Sequence, residues 1–104
     1  MFLYTLAKII KKRKTSNPKI SYTSSLLKKS LYENKKKFME EIKEFLNALN
    51  YKKKNIVHEA ADILYHLLVL LEKKKVNLKL VILELKKRSK ISGLEEKKNR
   101  KNVR

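Results

Sequence analysis

The chain has no cysteine, one glycine, one proline, two histidines and only ten acidic residues, set against 28 lysines and arginines. Lack of cysteine removes a disulfide framework, a thiolate zinc site and a cysteine nucleophile at once, and such usage fits a reducing cytosol. Two histidines are too few for a histidine-rich metal centre. Long apolar runs are missing too. The longest, residues 60–71, is broken by Asp62 and His66, and a spanning helix needs about 20 apolar residues. The start, MFLYTLAKIIKKRK, places its apolar residues before its basic ones, the reverse of a secretory signal. These absences predict a soluble, cytoplasmic protein. Its 104 residues suffice for one small domain with one core, which leaves no room for a second, fused catalytic domain.

What the chain has in excess is positive charge. A net charge of +18 attracts polyanions, so nucleic acid, an acidic membrane surface and a phosphorylated small molecule are all candidate partners. The basic residues are 24 lysines and four arginines, alongside many Asn and Ile. A genome rich in A and T produces that skew without selection for binding. Scarce arginine, together with aromatics mostly at core spacing, argues against a basic helical nucleic-acid binder.

With so little glycine and proline to punctuate it, the chain must be organised by hydrophobic periodicity, which is helical throughout. A first helix over about 2–12 places Phe2, Leu3, Leu6, Ile9 and Ile10 on one face, and the turn chemistry of TSNPKIS ends it. A short helix over about 23–29 follows, then a third over about 31–50 whose Phe38, Ile42, Phe45, Leu46 and Leu49 form one stripe. A fourth, about 55–74, is apolar nearly all round from Ile63 to Leu71 and should be buried from every side. A fifth spans about 78–89. The fold class is therefore all-α, a bundle of four to five helices. The domain covers 1–90, and 91–104 forms a basic C-terminal tail. The Leu and Val ring from Leu64 to Leu71 exceeds what one small chain can cover, which predicts a homodimer.

The few acids are not scattered. Five of the ten, Glu40, Glu41, Glu44, Glu59 and Asp62, lie within residues 40–62. Residues three apart on a helix project side by side, roughly 5–6 Å between Cβ atoms, so Glu41 pairs with Glu44 and Glu59 with Asp62. At 100° per residue Glu41 and Glu44 flank their apolar stripe, whereas Glu40 points nearly opposite it. The two pairs can face each other across an antiparallel hairpin. Pairing with Lys36, Lys37 and Lys43 on a solvated face is the simpler alternative for the first pair. Asp62 resists that alternative: no lysine lies within a helical turn of it, and a buried carboxylate without a partner costs several kcal/mol. Four convergent carboxylates suit a hard divalent cation such as Mg²⁺, which takes oxygen ligands and keeps several waters.

The pattern EExxE, fourteen residues, then ExxD resembles the metal-binding signature of the all-α nucleotide pyrophosphatases, the MazG-like superfamily. Three flanking stretches are more specific. SYTSSLL (21–27), EAADILYHLLVLL (59–71) and SGLEEKKNR (92–100) resemble the phosphoribosyl-ATP pyrophosphatase family of histidine biosynthesis, and the likeness runs over about 17–100. Lys37 stands where that family has the lysine of its K-x-G-E-E segment. Met39 replaces the glycine of that segment, and Ser30 replaces a glycine of the preceding turn.

The resemblance implies hydrolysis of phosphoribosyl-ATP between its α and β phosphates, with Mg²⁺ held by Glu41, Glu44, Glu59 and Asp62. Glu40, which cannot easily reach the same ion, is then expected either to support the ligands from outside or to act as the base that orients the attacking water. Ser21, Tyr22, Thr23 and Lys37, with Lys97 and Arg100 of the tail, are expected to bind the substrate's phosphates, Ser21 to Thr23 lying at a helix start that favours anions. Capping is the alternative role for Ser21, and solvated charge the alternative for Lys97 and Arg100. His66 shares a stripe with Glu59 and Asp62 and reads as a satisfied core histidine; His58 receives no role. A house-cleaning hydrolase of noncanonical nucleoside triphosphates on the same fold would keep the carboxylates but lack SYT and the EEKKNR tail.

Overall fold

The computed structural model describes residues 1–90; the 91–104 tail, with Lys97 and Arg100, lies outside the described residues. Five α-helices follow in order: α1 (Phe2–Lys12), α2 (Tyr22–Lys28), α3 (Leu31–Ala48), α4 (Lys53–Lys73) and α5 (Leu78–Ser89), with a single 3-10 turn (Arg13–Thr15) after α1. There is no strand among the described residues, so the all-α expectation holds. Tightly connected α3 and α4 form an antiparallel hairpin, α1 and α2 pack on α4, and α5 rests on α1.

Local chemistry explains the boundaries. Ser30 starts α3 with a capping box: its Oγ accepts from the Glu33 N–H at 3.1 Å, and the Ser30 N–H donates back to Glu33 Oε1 at 3.4 Å. Two of the donors that every helix start leaves unsatisfied are met this way. Serine is thus a functioning cap where the resembling family has glycine, and neither Ser30 nor Met39 adopts a positive φ. Asn77 caps α5, its Oδ1 accepting from the Lys79 N–H at 2.9 Å. The end of α4 is less well matched. Lys75 takes φ +57°, while the Val76 N–H reaches Leu71 O and the Lys75 N–H reaches Glu72 O. That is a Schellman closure, in which glycine is the usual occupant of the left-handed position.

The core gathers Ile10, Leu26, Leu27, Leu68, Val69 and Leu78, with Leu3, Leu6, Ala7 and Leu71 packed against it. It lies where α1, α2 and α5 meet the second half of α4, which leaves the first half of α4 to face α3. α2 has only seven residues and too few internal bonds to stand alone. Its last carbonyls are held from other helices: Asn34 Nδ2 donates to Leu26 O at 2.9 Å, and Lys73 Nζ donates to Leu27 O at 2.8 Å and also to Lys29 O.

Expected burial of α4 on every side is not met within one chain. His66, Leu68 and Val69 are buried, but Leu64 remains 48% exposed, because α1, α2 and α3 cover only part of the helix circumference. Apolar area also stays open at Leu46 and Leu49 of α3 and at Leu80 and Leu83 of α5.

Backbone geometry at Lys75 generates a stability prediction. Lys75→Gly should raise stability by about 1 kcal/mol, since a side chain in the left-handed region costs roughly that much. In a domain of this size that amounts to a rise of about 4–8 °C in the thermal midpoint. A lower midpoint would mean that the Lys75 side chain contributes more than its backbone costs.

A candidate metal centre across the helix hairpin

Spacing along α3 and α4 brings the acids together. On α3, Glu41 is buried at 5% exposure while Glu44, three residues on, opens to solvent. From α4, Glu59 faces them. One carboxylate oxygen from each of Glu41, Glu44 and Glu59 falls within a 4.8 Å span, and His58, Glu59 and Asp62 offer a second such group. Glu59 therefore joins the two helices' acids, and Asp62 enters through it.

The electrostatics are those of a crowded anionic site. Burial first, and then the Glu44 carboxylate beside it, raise Glu59 above the usual carboxylate range. Glu41 Oε2 and Glu59 Oε2 are buried with no hydrogen-bond partner among the described residues. Such oxygens are expensive unless something positive meets them. The other Glu41 oxygen does have company: Lys37 Nζ lies 3.2 Å from Glu41 Oε1, and His66 Nε2 lies 3.8 Å from the same atom. The hydrogen bond to Glu41 raises the Lys37 amine above its ordinary value, burial working against it. Burial lowers His66, only partly opposed by Glu41, so its ring is predominantly neutral at pH 7.

Some expected roles take a different form here. Asp62 is not enclosed by an apolar helix. Its side chain is 38% exposed, and His58 Nε2 lies 3.4 Å from its Oδ2, because Asp62 sits on the rim of the α3–α4 seam and not in the core. His58, given no role from the sequence, is thus a neighbour of the carboxylates; its i,i+4 spacing to Asp62 was the available signal. Glu40 lies outside both ligand groups, exposed and 3.8 Å from Lys37 Nζ. Near the hairpin turn, Asn47, Tyr51 and Asn55 line a cavity of about 290 Å³ with Glu44 and Glu59. None of these three was singled out beforehand, and polar residues in a turn give no distinctive pattern.

α2 approaches from the other end. Ser21 caps it, its Oγ accepting from the Ser24 N–H at 3.1 Å. Tyr22 is exposed, with its ring edge-on to His66 at 6.3 Å between centroids. Thr23 is buried, and its hydroxyl bonds to the Tyr65 hydroxyl. Lys37 and His66 are thus brought beside Glu41 and Tyr22 stands against His66, whereas the hydroxyls of Ser21 and Thr23 are engaged within the protein.

An all-α bundle opposing acid pairs across a helix hairpin has the architecture of an all-α nucleotide pyrophosphatase. Residues 3–89 match the family described as phosphoribosyl-ATP pyrophosphohydrolase, and the chain belongs to that family. It is 41% identical over 100 residues to the phosphoribosyl-ATP pyrophosphatase of Paracoccus denitrificans, covering 95% of this chain and 93% of that one. The Rhizobium meliloti phosphoribosyl-ATP pyrophosphatase is 40% identical over 101 residues, covering 96% and 94%. The histidine biosynthesis bifunctional protein HisIE of Helicobacter hepaticus is 42% identical over 95 residues, a match spanning 90% of this chain and 41% of that larger protein.

Crowding at Glu59 has a measurable consequence without any cation. Glu59→Gln removes one carboxylate from the crowd of Glu41, Glu44 and Asp62 around it, so its thermal midpoint in the presence of a chelator should equal or exceed that of the unaltered protein. A fall of several degrees would identify Glu59 as a stabilising partner instead of a crowded one.

Proposed function

We propose that this chain hydrolyses phosphoribosyl-ATP to phosphoribosyl-AMP and pyrophosphate, the second step of histidine biosynthesis. The observation that carries the reading is Glu59 set against Glu41 and Glu44, with buried, unpartnered oxygens on Glu41 and Glu59. Family membership supplies the substrate. Mg²⁺ is the cation that fits the carboxylate donors, because a hard ion prefers oxygen and retains water where a site is open, as it is at Glu44 and Asp62. Glu41, Glu44 and Glu59 would hold it, with Asp62 joining from the His58 side. When bound, such an ion neutralises the triphosphate and stabilises charge on the departing pyrophosphate.

The chain's own groups do the remaining work. Glu40, exposed and outside the ligand groups, accepts the proton of the water that attacks the anhydride as the bond between the α and β phosphates breaks. Lys37 keeps its proton, since Glu41 raises its amine, and offers the ammonium to a substrate phosphate. The turn of Ser21, Tyr22 and Thr23 forms the wall beside it. Lys97 and Arg100, which lie outside the described residues, are assigned by their charge to binding of the phosphoribosyl end. The working unit is a homodimer, whose second copy covers apolar area left open around Leu46, Leu49 and Leu64. A cytoplasmic reaction is part of the same proposal; no helix among the described residues is long and apolar enough to cross a membrane.

Steady-state pyrophosphate release tests this reading. Phosphoribosyl-ATP should be hydrolysed far faster than ATP or any deoxynucleoside triphosphate, with activity lost to a chelator and restored by Mg²⁺. Glu41→Gln and Asp62→Asn should each lower the rate by at least about 100-fold, the scale of losing a transition-state contact, while far-ultraviolet dichroism stays unchanged. Full activity in either variant would remove the carboxylates from the mechanism. Preference for a deoxynucleotide would make the protein a house-cleaning hydrolase instead.

A further inference from the structure

One side chain outside the expected site links its two halves. Tyr65 lies on α4 three residues beyond Asp62, and its hydroxyl bonds to that of Thr23 on α2, 42 residues away in sequence. Its ring stands edge-on to His66 at 5.6 Å between centroids. His66 in turn stands edge-on to Tyr22 and places Nε2 3.8 Å from Glu41 Oε1. A continuous set of contacts thus runs from the start of α2 to the buried carboxylate. Burial raises the Tyr65 phenol above its ordinary value, so the hydroxyl keeps its proton.

The grip on α2 differs between its ends. Its C-terminal carbonyls are held by Asn34 and Lys73, both by side chain to backbone. Near its start, Ser21 caps within the same segment and Ser24 Oγ donates to Ser16 O in the preceding loop. Among the described residues, the hydrogen bond from this first turn to α4 is that between Thr23 and Tyr65. So short a helix can shift at that end without unfolding, because the neighbouring core residues Leu26 and Leu27 are anchored further along.

We propose that Tyr65 is a positioning residue: its hydroxyl fixes Thr23, and with it the Tyr22 wall, beside the Glu41 end of the carboxylate site. The role rests on the reading that the turn from Ser21 to Thr23 contacts the substrate. Tyr65 itself touches none of the reacting atoms. Removing its hydroxyl therefore weakens the hold on substrate and leaves the carboxylates in place.

Full-chain Tyr65→Phe, Thr23→Val and the double variant test this. Each single change should raise KM for phosphoribosyl-ATP about three- to tenfold, the scale of one hydrogen bond. kcat should stay within about twofold and the Mg²⁺ concentration for half-activation should be unchanged. The double variant should be no worse than either single, since both remove the same contact. An unchanged KM in Tyr65→Phe, multiplied effects in the double variant, or parallel falls in kcat and metal activation would each overturn the proposal. Amide exchange supplies a readout independent of the substrate. In Tyr65→Phe, exchange at Tyr22 to Ser25 should speed up while that around Glu41 and Glu59 does not, and no change at α2 would equally overturn it. If phosphoribosyl-ATP is not hydrolysed at all but exchange at α2 rises as expected, the functional reading fails and the positioning contact stands.

Discussion

Opposed carboxylates on the two helices of the α3–α4 hairpin are the constraint around which the structure is arranged. Facing like charges push the helices apart, and burial of Glu41 and Glu59 oxygens adds a desolvation cost. Something else has to hold the hairpin shut. Within one chain that support comes from the direct packing of α3 along α4 and from Asn34 of α3, which donates to Leu26 O of α2, while Leu68 and Val69 anchor the far half of α4 on Ile10, Leu26 and Leu78. Each fully buried aliphatic side chain contributes about 1.5–3 kcal/mol, so a small core can offset one strained cluster. The division of α4 into a charged first half and an apolar second half is what allows a protein of this size to carry an acidic centre.

α2 shows the same economy at smaller scale. Its sequence supplies a serine cap but too few residues for an independent helix. Its position is fixed by groups on longer neighbours: Asn34 on α3, and Lys73 and Tyr65 on α4. The basic composition takes part directly here, since Lys73 serves backbone carbonyls and Lys37 serves Glu41. At least these two lysines of the large excess therefore have structural partners.

Helix existence and type were legible because apolar residues recur every three to four positions with almost no glycine or proline to interrupt them. The acid pairs were legible for the same reason: EExxE and ExxD fix one face of each helix, and the short turn between α3 and α4 leaves the two faces opposed. Asp62 was misjudged as enclosed because the apolar ring that follows it from Ile63 was extended backwards, whereas Asp62 and His58 share the exposed rim. The open Leu64 agrees with the excess of apolar surface read from Leu64 to Leu71, since periodicity reports how much such surface exists and not which element covers it. The contact between Tyr65 and Thr23 had no local signature, since two hydroxyls far apart in sequence meet only through the packing of α2 on α4.

Whether the crowded hairpin is a cation site is decided most directly by Mn²⁺ binding, followed through loss of the free-ion electron paramagnetic resonance signal. The unaltered protein should take up Mn²⁺ saturably and release it to excess Mg²⁺. A Glu41→Gln, Glu59→Gln double variant that keeps its helicity should leave the ion in solution. Equal uptake by both proteins would contradict a cation site between α3 and α4.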